Sequence, residues 1–177
     1  MRRRWRVPEV LGQGHQRGMK ILLPVDGSEG SKRATESIAE RPWPEGTEVR
    51  VLSVVELALT GLQAAFEIPA IDAARLEAQR AAAMQRAQKA IADAREVLET
   101  AGLKASESIS VLVAGPKDII LEEASTWGAD LIVLGSHGHG GAVRFLLGST
   151  SEAVARQAEC SVEIIRGKAG RSWTSKT

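Results

Sequence analysis

Residues 135–150 read Gly135-Ser136-His137-Gly138-His139-Gly140-Gly141, then Ala142 to Leu147, then Gly148-Ser149-Thr150. Glycines lack a Cβ, so backbone N–H groups beside them can approach a ligand closely. Gly148-Ser149 falls where a helix is expected to begin. Free N–H groups and the positive end of the helix dipole would point outward there. Ser149 and Thr150 add hydroxyl donors. Such a set suits a di- or triphosphate. A carboxylate facing it would suit a ribose hydroxyl or a metal ion carried by the phosphates, and Asp26 is the candidate. On composition alone, a long flexible glycine loop remains the alternative.

Other chemistries fit less well. There is no G-x-x-x-x-G-K-[ST] motif, and the glycine cluster does not follow the first strand as a dinucleotide fingerprint would. The cluster holds no lysine, and Arg144 is its one cation. A strong phosphohydrolase would want more positive charge on the γ-phosphate and a positioned base. His137 and His139 could share a metal ion, but no third ligand suggests itself except Asp26. Ser149 and Ser151 do not sit in G-x-S-x-G. Cys160, the single cysteine, reads as a small buried hydrophobe.

The elements around these residues alternate. Residues 19–26, MKILLPVD, form a short strand apolar on both faces, as a buried parallel sheet requires. Ser28 or Ser31 caps a helix running to about Arg41, stopped by Pro42 and Pro44. A second strand spans Glu48 to Glu56, and an irregular connection follows over 57–71. Ile71 to Ala101 is rich in helix formers, with Leu76, Met84, Ala87, Ile91, Ala94 and Leu98 mostly on one face. Ile109 to Ala114 reads as a third strand, 117–127 as a helix, Asp130 to Gly135 as a fourth strand and 136–147 as a loop. A helix to about Ala158 and a strand over Val162 to Arg166 complete the chain.

Strict β–α alternation with right-handed crossovers gives an α/β fold, an open parallel five-stranded sheet with helices on both faces. Periodicity leaves two strand orders open, a flavodoxin-like one and the Rossmann-like order 3-2-1-4-5. In the second, the winding reverses between strands 1 and 4, and ligands bind beyond the carboxyl ends of strands at such a point. Asp26 and the glycine cluster would then lie side by side.

The 177 residues suffice for one domain with a full core. The net charge of +1 is unevenly spread: residues 19–165 carry 14 basic and 21 acidic side chains, whereas both ends are basic. Residues 1–18 hold Arg2, Arg3, Arg4, Arg6 and Arg17 against Glu9, and residues 166–177 hold four basic groups and no acid. We expect 1–18 and 167–177 to be flexible basic extensions flanking a domain over 19–166. Met19 would also serve as a start. An acidic body argues against nonspecific nucleic-acid binding. No apolar run approaches the roughly 20 residues that span a bilayer, and the arginines at the start precede no apolar core of a secretory signal. A single cysteine fits a reducing, cytoplasmic setting.

The spacing G-x2-G-x9-G-[ST], met by Gly135, Gly138, Gly148 and Ser149, resembles the ATP-binding motif of the universal stress protein family. ILLPVDGSE at 21–29, residues 50–56, LVAGPKDIILEEA at 112–124 and GSTSEAVARQAECSVEIIR at 148–166 resemble that family's successive strands and helices. The resemblance covers about Met19 to Arg166. It implies the 3-2-1-4-5 sheet of the adenine nucleotide alpha hydrolase-like folds, and ATP as ligand, with Mg or Mn carried by its phosphates. By the same resemblance Asp26 contacts the adenosine, and Pro24, Val25 and Val54 line the adenine pocket, partly through backbone groups. Leu134 and Gly135 approach the sugar and phosphates, and Gly138, Gly148, Ser149 and Thr150 hold the phosphate chain. It further implies a stress-response role, a homodimer through the last strand and an unidentified protein partner. Ser161 stands where the family often has proline, Ala114 where it often has glycine, and Glu163 interrupts the last strand. The sequence therefore points to an ATP-binding regulatory protein, with a slow ATP hydrolase or phosphotransferase as the alternative.

Overall fold

Three consecutive side chains in the middle of the first strand, Ile21, Leu22 and Leu23, are fully buried. Only a strand covered on both faces can achieve this. The computed structural model describes residues 18–56, 73–112, 115–138 and 147–166. Along the chain run β1 (Lys20–Pro24), α1 (Glu29–Ala39), β2 (Glu48–Glu56), α2 (Ala73–Thr100), β3 (Lys104–Leu112), α3 (Pro116–Trp127), β4 (Leu131–Gly135), α4 (Ser149–Gln157) and β5 (Ser161–Ile165). The strands form one five-stranded sheet in the order β3-β2-β1-β4-β5. All four neighbouring pairs are parallel.

Side-chain alternation splits the core into two layers. Ile21, Leu23, Val49, Val51, Leu131 and Val133 face α1 and α2, where Ala34, Ile38, Ala90, Ile91, Ala94 and Leu98 meet them. Leu22, Leu52, Ile132 and Leu134 face α3 and α4, through Ile119, Ile120, Ala124 and Val154. The alanines along α2 let its axis come close to the strands. The first two crossovers thus cover one face and the last two the other. Right-handed crossovers demand this when the winding reverses between β1 and β4.

The third strand departs from the sequence expectation. It begins at Lys104 rather than Ile109, pairing residue by residue with β2 from Glu48↔Lys104 to Glu56↔Leu112. Its first half, Lys-Ala-Ser-Glu-Ser, is polar because β3 is an edge strand with one partner, so no apolar run marks it. The connection at 57–71 lies outside the described residues.

Glu163, the charge that broke the pattern of the last strand, has a partner. Arg41, just beyond α1, grips both carboxylate oxygens at 2.6 and 2.7 Å, and the carboxylate raises the Arg41 guanidinium above its ordinary range. Alternation directs Glu163 onto the α1 face of the sheet rather than along its edge.

Candidate functional site

The crevice begins where β1 runs out. Pro24 pairs with Leu52, and the Val25 N–H donates to the Leu52 carbonyl at 2.8 Å before the chain leaves the sheet. The Val25 side chain is buried beneath α1 and α2, so this residue offers the crevice only its backbone. Gly27 takes φ 81°, which turns the chain sharply toward α1 and which a residue with a Cβ adopts at a cost. Asp26 is exposed on that turn. Its Oδ1 accepts from the Ser28 N–H at 2.9 Å, a side-chain turn that fixes the carboxylate's direction. Ser28 then caps α1, its hydroxyl accepting from the Ser31 N–H at 3.3 Å.

The other wall starts at the end of β4. Gly135 pairs with Ile165, and the Ser136 N–H donates to the Ile165 carbonyl at 2.9 Å. Ser136 is buried, its hydroxyl 3.0 Å from His137 Nδ1. The two ends of the glycine-rich segment are tied together. The Gly148 N–H donates to the Ser136 carbonyl at 2.9 Å, and the Ser151 hydroxyl donates to the Gly135 carbonyl at 2.8 Å. Gly148 is the N-cap of α4 and has no side chain with which to cap it. The positive end of the α4 dipole therefore begins beside Ser136 and His137 with no side-chain cap from Gly148, whereas Ser28 caps α1.

The walls meet at Asp26 and Gly138. A methyl group on Gly138 would sit 2.6 Å from Asp26 Oδ2. The acid from the end of the first strand and the glycine after the fourth are thus in van der Waals reach, at the point where the winding reverses.

Of the ten residues expected at the site, Pro24, Asp26, Gly135, Gly138, Gly148, Ser149 and Thr150 gather around this crevice. Val54 lies two residues past Leu52 on β2, beyond the point where β1 has turned away. It packs half-buried on the α3–α4 side, as a side wall. Leu134 is buried in that same layer, so only its backbone can face a ligand. His139, Gly140, Gly141 and Arg144 lie outside the described residues. Among the described residues no three His, Cys, Asp or Glu side chains could hold a metal ion, and no helix is long and apolar enough to cross a membrane.

Sequence reasoning passed over Gly30, Ser136 and Ser151, which join the walls. A glycine in the first turn of a helix is a mild anomaly and was the signal for the first. The two serines carry no mark that separates them from ordinary surface serines. Another concavity, about 600 Å³, lies between α2 and β3 around Ile91, Arg95, Glu99 and Glu107. Arg95 bridges both glutamates there, at 2.8 and 3.0 Å, as a packing contact would.

With this geometry in hand, comparison with known proteins is decisive. A family model described as the universal stress protein family matches residues 19–166. The chain belongs to the universal stress protein family. Universal stress protein A homolog 2 of Coxiella burnetii is 48% identical over 67 residues, which is 37% of this chain and 45% of that protein. A universal stress protein of Methanocaldococcus jannaschii is 29% identical over 158 residues, covering 89% of this chain and 87% of its own. Among solved structures, the universal stress protein UspA of Lactobacillus plantarum superposes with a TM-score of 0.67 at 29% identity, over 86% of this chain and all of the other. An Arabidopsis thaliana family member with AMP bound shares the fold, with a TM-score of 0.61 at 19% identity over 89% of this chain and 97% of that one.

Proposed function

We propose that this universal stress protein binds ATP in the crevice between the ends of β1 and β4 and acts as a nucleotide-dependent regulatory protein in a stress response. The carrying observation is the meeting of the Asp26 carboxylate with Gly138, next in chain to His137, which lies against Gly148 at the N-terminus of α4. In this reading the adenine rests on the backbone of Pro24 and Val25 and against Val54, and Asp26 receives the ribose hydroxyls. The backbone of Leu134 and Gly135 borders the sugar. Gly138, Gly148, Ser149 and Thr150 take the phosphates through N–H groups and hydroxyls, where the α4 dipole favours negative charge. Mg or Mn would ride on the phosphates, with Asp26 as the nearby protein carboxylate. The AMP held by the Arabidopsis relative is in keeping with an adenine nucleotide here.

Binding is favoured over turnover. Residues 135–150 hold no lysine to meet the γ-phosphate, Arg144 being their one cation besides the histidines. We place ATP turnover below about one per minute, against the roughly 10 per second of a typical enzyme. We further propose a cytoplasmic homodimer joined along β5. Pairing of Glu163 with Arg41 leaves that edge without an uncompensated charge.

The test is to denature the purified protein and identify the nucleotide released. Intact ATP supports a binding protein. ADP in its place moves the protein toward the slow hydrolase, and a protein that neither carries nor takes up adenine nucleotide overturns the proposal.

A further inference from the structure

Gly30 is the second residue of α1, where alanine would be the better helix former. No left-handed φ calls for glycine there, since the positive-φ glycines among the described residues are Gly27, Gly46, Gly102 and Gly128. Space does call for it. A Cβ on Gly30 would overlap the His137 carbonyl oxygen and lie 3.5 Å from the Gly135 Cα. The relation is reciprocal: a Cβ on Gly135 would sit 2.6 and 2.7 Å from the Gly30 carbonyl oxygen and Cα. Backbone therefore packs on backbone across this seam. The Ser28 hydroxyl lies along the same line, 3.5 Å from the His137 carbonyl oxygen.

This seam joins the two walls of the crevice. Asp26 stands at its β1 end, and Gly138 follows directly on its β4 side. A side chain at residue 30 would push the first turn of α1 away from His137 and carry the Asp26–Ser28 turn with it. The separation between the adenosine half and the phosphate half would grow.

We infer that Gly30 is a positioning residue for the nucleotide site: its missing side chain sets the distance between the wall that takes adenosine and the wall that takes phosphates. This rests on the nucleotide reading above and adds to it a residue that touches no ligand. It has a distinctive consequence. ATP spans both walls and gains from their fixed spacing, whereas adenosine rests on the β1 wall and touches the β4 wall only where the Leu134 and Gly135 backbone borders its sugar. Widening the seam penalises the spanning ligand selectively.

The experiment measures ATP and adenosine affinities by calorimetry on the full chain and on Gly30→Ala. ATP affinity is expected to fall at least tenfold while adenosine affinity stays within about threefold. Ala34→Gly, a fully buried position in the same helix, is expected to lower the melting temperature and leave ATP affinity unchanged. A Gly30→Ala protein that binds ATP like the parent overturns the inference, and so does one that loses ATP and adenosine in equal measure. If Gly30→Ala does not fold, amide resonances of the parent decide. Gly30 and His137 should both shift more with ATP than with adenosine, and an indifferent Gly30 overturns the inference. A parent that binds no ATP at all overturns the nucleotide reading, and this inference with it. A parent that binds ATP beside an equally competent variant overturns this inference alone.

Discussion

Replacing Gly138 by alanine should weaken ATP binding through Asp26 rather than by obstructing the phosphates. The added methyl would lie 2.6 Å from Asp26 Oδ2, well short of the 3.4 Å at which ordinary contact begins. The carboxylate must swing away, and its bond to the Ser28 N–H at 2.9 Å is the interaction that breaks. Asp26 would then no longer point toward the proposed ribose position. Loss of one charge-assisted hydrogen bond costs about 1.5–3 kcal/mol, which is roughly a tenfold to 150-fold rise in Kd. Gly138 is exposed, so the fold loses little more than the turn itself. Because Asp26 is exposed, its bond to the Ser28 N–H contributes only about 1 kcal/mol to stability, a fall of about 2–4 °C in Tm for a domain of this size. Calorimetry with ATP on Gly138→Ala, Asp26→Ala and the double variant is the assay. Once Asp26 is gone the methyl meets nothing, so Gly138→Ala should then cost less than about threefold, a strong coupling between neighbours. If the glycine change costs as much without Asp26 as with it, the steric link is wrong and the added methyl obstructs the phosphates directly.

Gly148→Val should abolish ATP binding and keep the circular dichroism of the parent. Its Cβ would lie 3.2 Å from the Ser136 carbonyl oxygen and its branches would cover the α4 amides; binding like the parent would place the phosphates elsewhere. Removing either half of the Arg41–Glu163 pair, as Arg41→Met or Glu163→Ala, should lower Tm by roughly 2–4 °C, for a half-exposed bidentate pair worth about 1 kcal/mol. The double variant should cost no more than one of them, and full additivity would show that the pair contributes nothing as a pair. Burial pushes the Cys160 thiol above its ordinary range. Its thiolate therefore forms only at higher pH, and iodoacetamide should react more slowly near neutrality than with a model thiol; an equal or faster rate would refute this.

The buried parallel sheet was legible because the central strands advertise burial, whereas its order, β3-β2-β1-β4-β5, was implied by the family resemblance and not by periodicity. Ile21, Leu22 and Leu23 admit no exposed face, and neither do Ile132 and Val133 in β4. The edges were harder. The first half of β3 carries Lys104, Ser106 and Glu107 in the open, so the strand is recognisable only through its pairing with β2. Glu163 read as a fault in β5, since its partner Arg41 lies 122 residues away and no local pattern announces it. At the site, residue types located Asp26, Gly138 and Gly148, because carboxylates and glycines at the ends of buried strands are unusual. Chain spacing could not reveal that Val25 and Leu134 turn their side chains into the core. That follows from the alternation of each strand against its own helix layer. Gly30 escaped notice because its partner is the backbone of a segment about a hundred residues later, and steric fit of that kind leaves little trace in composition.

Amide hydrogen exchange of the full-length protein, with and without ATP and Mg, tests the central claim most directly. The account predicts added protection in three separated segments, residues 24–31, 135–138 and 147–151, with little change in the groove between α2 and β3. Protection confined to that groove, around Arg95 and Glu107, or none at saturating ATP, would contradict a nucleotide site between β1 and β4.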